Sequence, residues 1–121
     1  MNVLQPPAIY GDDRWPPSPA HRQERRIVWN LLHQLQEQGW KPYAVDDGGD
    51  EDEVTPTVEE AFEAIFAVEV ATLKLQGPDH KNWILFIIGN GTDIISDYVD
   101  DSRRNEGLRQ LLEAFNPEDY A

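Results

Sequence analysis

The chain has no cysteine, one methionine, three histidines and only ten basic residues among its 121 positions. Without thiols there is no disulfide framework, no thiolate zinc site and no cysteine nucleophile, so the chain suits a reducing compartment and a cytoplasmic location is expected. No apolar run approaches ~18 residues, and no charged stretch leads into an apolar one at the N-terminus; neither a membrane span nor a secretory signal is expected. His21, His33 and His80 form no pair at ligand spacing and no H-E-x-x-H, which argues against zinc and leaves them as exposed titrating side chains. There is also no P-loop and no G-x-S-x-G elbow. Gly89-Asn90-Gly91 begins a dinucleotide fingerprint, but isoleucine stands at position 94 and no helix follows, so a hairpin turn explains it better.

Acids are what the chain has in excess. Asp and Glu number 23, for a formal charge of −13 and a pI near 4.4, which opposes direct binding to nucleic acid phosphates or to an anionic membrane. A basic protein surface is the natural complement. The charge is also uneven: residues 43–72 hold ten acids and no base, residues 1–42 four acids and five bases, and residues 73–121 nine acids and five bases. Asp46, Asp47, Asp50, Glu51, Asp52 and Glu53 crowd one glycine-containing stretch that cannot bury anything and reads as an exposed loop. Their spacing does not match a calcium loop of the EF-hand type, so no metal site is assigned. Arg22, Arg25, Arg26, Arg103 and Arg104 lie near helix starts, where the dipole disfavours cations. Pairing with the acids of residues 46–63 within the monomer would offset this, and an interface between subunits would do the same.

Five of the nine prolines fall in the first 19 residues, so residues 1–17 read as a Pro-rich extended arm and residues 18–121 as a single domain. Ser18-Pro19 starts a helix whose stripe is Val28, Leu31, Leu32 and Leu35, running to about Gln38 and closed by Gly39, with Trp40 packing back on Leu35. Lys41 to Asp46 reads as a strand with Tyr43 and Val45 on one face. Thr57 and Glu60 form a capping box before the stripe Val58, Ala61, Phe62, Ile65. Ala71, Leu73 and Leu75 alternate with polar residues as a half-buried strand, followed by a turn at residues 77–80. Trp83 to Ile88 reads as a central strand buried on both faces. After the glycine loop comes a strand over Ile94 to Val99, then a helix from Asp101 or Ser102 with Leu108, Leu111, Leu112 and Phe115 inward, ended by Asn116-Pro117. The order α-β-α-β-β-β-α predicts an α+β two-layer domain: a largely antiparallel four-stranded sheet with three helices on one face.

Gly39-Trp40, Val45-Asp46-Asp47-Gly48-Gly49, the helix end from Ala61 to Val68, Trp83, Ile88-Gly89-Asn90 and Ile94-Ile95-Ser96-Asp97-Tyr98 together give a pattern over about half the chain. On these residues the chain resembles the small acidic proteins without assigned activity that tailed phages and prophages encode. The resemblance implies a mobile-element origin and an accessory or host-directed role. It carries over no catalytic residue, and the Pro-rich arm lies outside it.

Two functional readings follow. The first is a non-enzymatic binding protein whose carboxylates within residues 43–69, namely Asp46, Asp47, Asp50, Glu51, Asp52, Glu53, Glu59, Glu60 and Glu63, dock a basic protein surface. The nucleic-acid groove of a host enzyme is one such surface, since closely spaced carboxylates can imitate a phosphate backbone. The second is a homo-oligomeric domain that binds or sequesters a nucleotide-like ligand, with Trp83, Tyr98 and the helix-start arginines as contacts. Asp97 and Tyr98, near Asp93, Asp100 and Asp101, offer acid-base groups without a nucleophile, metal triad or phosphate cradle, so no catalytic residue and no cofactor is assigned.

Overall fold

The computed structural model describes Leu4 and residues 19–46, 57–66, 68–77, 81–89, 91–98 and 106–120. The elements follow the expected order: α1 (Pro19–Glu37), β1 (Lys41–Asp46), α2 (Val58–Phe66), β2 (Val70–Gln76), β3 (Lys81–Ile87), β4 (Ile95–Tyr98) and α3 (Glu106–Ala114). All strand pairings are antiparallel and the strands lie in the order β1-β2-β3-β4, a meander of four strands. The fold is α+β.

The stripes explain the packing. Val28, Leu31, Leu32 and Leu35 of α1, Val58, Ala61, Phe62 and Ile65 of α2, and Leu108, Leu112 and Phe115 at α3 join Ala71, Leu73, Leu75, Ile84 and Phe86 in one core cluster. α1 ends as its sequence requires: Gly39 takes φ +88°, the Trp40 amide donates to the Leu35 carbonyl at 2.9 Å and the Gly39 amide to Gln36 at 3.1 Å. This Schellman ending folds Trp40 into the core. At α2 the Thr57 hydroxyl accepts from the Glu60 amide at 3.1 Å, which is the capping half of the expected box.

Three expectations need correction. Tyr43 and Val45 do not share a face, because the β1 register shifts between Pro42 and Ala44. The bulge leaves Tyr43 beside Lys81, 4.8 Å from ring centre to ammonium, while Val45 packs on the core. β3 is not buried on both faces: Ile84 and Phe86 are fully buried, but Trp83 is 36% exposed, since the apolar stripes of the helices share one core with a single sheet face. His33 is not an exposed side chain; it is half-buried, edge-on to Trp29 at 4.6 Å between ring centres. Helix α3 is described over Glu106–Ala114, and its expected start at Asp101 or Ser102 lies outside the described residues. The Ser18 cap, most of the Pro-rich arm and the turn at residues 78–80 also fall outside them.

Candidate functional site

The acids named from sequence separate into two groups. Asp46 closes β1 opposite Thr72, half-buried and partnered. Glu59, Glu60 and Glu63 stand exposed on α2, away from its buried residues Val58, Ala61, Phe62 and Ile65. Asp47, Asp50, Glu51, Asp52 and Glu53 lie outside the described residues. Glu59 and Glu60 occupy the first turn of α2, where the dipole favours anions by about 0.3–1 kcal/mol each. Glu63 lies beyond that turn, so the dipole does not account for it. None of these three carboxylates has a partner among the described residues.

Of the α1 arginines, Arg26 reaches the end of the chain. Arg26 donates from Nε to the Tyr120 carbonyl at 3.3 Å, Arg22 is exposed and Arg25 is half-buried. Arg103 and Arg104 fall outside the described residues. Arg26 therefore ties α1 to the C-terminal 3-10 turn Pro117–Tyr120, an element the sequence did not reveal. Its anchor is Tyr120, buried and stacked on Phe115 at 5.0 Å and 4° between planes, with its hydroxyl 2.6 Å from the Gln34 amide nitrogen. Glu24, a charged residue only 1% exposed, was also missed. Its carboxylate accepts from the Gly89 amide at 2.7 Å and so fixes the loop before β4 to α1.

No protein-family model, curated protein or solved structure matches the chain. What the molecule can bind is therefore read from its surfaces. Besides α2, the open sheet face is one of them. Register places Lys41, Gln76 and Lys81 in one row across β1-β2-β3, and Ala44, Lys74 and Trp83 in the next. All three lysines of the chain thus share that face with Tyr43 and Trp83. Tyr98 does not belong to it: it pairs with Ile84 and packs on the core. The expected grouping of Trp83, Tyr98 and the α1 arginines is not brought together.

Opposite the sheet lies a cleft of about 740 Å³ between α1, α3 and the C-terminal turn. Leu111 and Ala114 line it from α3, and Asn30, His33 and Gln34 from α1. The wall is polar and apolar in nearly equal parts, and Nε2 of His33 is buried with no hydrogen-bond partner among the described residues. Among the described residues no group of three or more His, Asp or Glu is placed to hold a metal ion, and no helix is long and apolar enough to cross a membrane.

Proposed function

We propose that the protein is a non-enzymatic accessory protein, of phage or mobile-element type, that docks a basic protein surface through the acidic segment and the outer face of α2. The observation that carries this reading is the exposed set Glu59, Glu60 and Glu63, directly following a stretch with six further acids and no base. Carboxylates at i, i+1 and i+4 present one patch to solvent, and a field of that sign speeds encounter with a cationic groove. A nucleic-acid-binding host enzyme is a partner of this chemistry, and the docked protein would act as its inhibitor.

The test compares immobilised wild type with two neutralised variants, Glu59→Gln/Glu60→Gln/Glu63→Gln and Asp50→Asn/Glu51→Gln/Asp52→Asn/Glu53→Gln, as baits for purified basic nucleic-acid-binding enzymes of the host. Retention by wild type should vanish near 0.5 M salt, where screening acts over only about 4 Å, and should weaken in both variants. Retention that survives salt and both sets of changes overturns the reading.

The open sheet face favours a second reading, a ligand that joins an aromatic ring to an anionic group. Trp83 and Tyr43 supply ring faces and Lys41, Lys74 and Lys81 the charge. Titration with nucleoside monophosphates should quench Trp83 fluorescence in wild type and not in Lys41→Glu/Lys81→Glu; equal quenching in both removes this reading.

A further inference from the structure

We propose that the cleft between α1 and α3 is a peptide-binding site that reads the main chain of an extended segment. Its ligand is the N-terminal segment of this chain, held in cis and exchangeable with that of a second copy. Asn30 is a polar residue only 3% exposed in the middle of α1. Its Oδ1 accepts from the Leu4 amide at 2.9 Å and its Nδ2 donates to the Leu4 carbonyl at 3.0 Å, so the side-chain amide pairs with both main-chain groups of one residue as a neighbouring strand would. The same nitrogen donates its second hydrogen to the Arg26 carbonyl at 2.7 Å, which fixes the orientation of the amide. A buried side-chain amide is costly unless both of its ends are paired, and here two of its three hydrogen bonds, including the one at Oδ1, are made to a residue outside the helices and sheet.

What surrounds Asn30 fits a longer ligand than Leu4. Leu4 is 42% exposed and is held through its main-chain amide and carbonyl, so its hold is sequence-tolerant. Beside it the cleft keeps about 740 Å³, with apolar side chains from Leu111 and Ala114 and a buried His33 Nε2 that has no hydrogen-bond partner among the described residues. Glu37, Gln38 and Gln110 add polar groups to the lining, suited to further main-chain groups of an extended peptide. Residues 5–18 separate Leu4 from α1, and the contour length of that stretch is enough to place the segment on a neighbouring molecule. The proposal is independent of the acidic face.

The experiment uses the full chain and a C-terminally labelled synthetic peptide, MNVLQPPA, followed by fluorescence anisotropy. Leu4→Pro removes the amide that Asn30 accepts from at a position outside every helix and strand, and so vacates the cleft without touching the core. The peptide should bind Leu4→Pro at least about tenfold more tightly than wild type, because a tethered segment competes at high effective concentration. The same peptide N-methylated at its leucine, which cannot donate, should lose that binding. No saturable binding to Leu4→Pro, equal binding to wild type and Leu4→Pro, or undiminished binding of the methylated peptide would each overturn the proposal.

Discussion

Along β3 both faces of the sheet carry large apolar side chains, and the two faces meet quite different fates. On the inner face Ala71, Leu73, Leu75, Ile84 and Phe86 are fully buried under the helices. On the outer face Val70 is 50% and Trp83 36% exposed, with Lys74 and Lys81 alongside. Large apolar side chains on both sides of a strand therefore do not imply two covered faces. Coverage depends on how many layers the chain can supply, and the stripes of these helices all enter one core. The lesson extends to function, since inner positions are explained by stability and outer ones are free to meet a partner.

Core truncation should separate the faces most strongly. Phe86→Ala is expected to cost about 3–5 kcal/mol, whereas Val70→Thr, which keeps β-branching on the open face, should stay within about 0.5 kcal/mol. Urea unfolding of both variants checks this, and comparable losses would mean that the outer face is covered after all. In amide exchange, β2 and β3 should be the most protected strands because each has a neighbour on both sides, while β1 and β4 lie at the edges.

The next effect belongs to the junction where α1 meets the inner face. Gly77, at the end of β2, is buried against the Trp40 ring, and a methyl group there would overlap the ring. Gly77→Ala should cost about 1–3 kcal/mol by overpacking, and Gly77→Ala/Trp40→Leu should show a smaller combined loss than the sum of the two single changes, the signature of direct contact. Gly39→Ala should cost about 1 kcal/mol, since its φ of +88° suits glycine and burdens a residue with a Cβ. Thermal melts resolve both.

The smallest effect is electrostatic and tests the exposed surface. If the acids of residues 43–72 repel one another without cationic partners, raising salt from about 0.05 to 0.5 M should raise the melting temperature slightly through screening. The shift should shrink in Glu59→Gln/Glu60→Gln/Glu63→Gln. A melting temperature that falls with salt would mean that these acids are paired, and would make the face structural and not a docking surface.

Much of this was legible in the sequence. The bounds of β1, the Schellman ending at Gly39 with Trp40 folded inward, the Thr57 cap and the alternation of β2 follow from spacing and from single-residue stereochemistry, which act over a few residues. Of the acids assigned as a site, Glu59, Glu60 and Glu63 are exposed as expected, because apolar positions at helical spacing leave them only the outward face. The side of Tyr43 was not legible, because a bulge inverts the alternation on which the assignment rested. Glu24 gave no signal either: a carboxylate on a helix reads as surface until a loop 65 positions away brings the Gly89 amide to it.

The sequence by itself determined the order of elements, the helix stops, the apolar stripes and the location of the negative charge, because each rests on local conformation or on composition. Tertiary structure alone decided which sheet face is open, that all three lysines gather there with Tyr43 and Trp83, and that Asn30, His33, Gln34 and Tyr120 share a cleft with Leu4. Those arrangements depend on strand register, on a bulge and on contacts between residues far apart in the chain, and no spacing rule along one segment encodes the direction from which another segment will arrive.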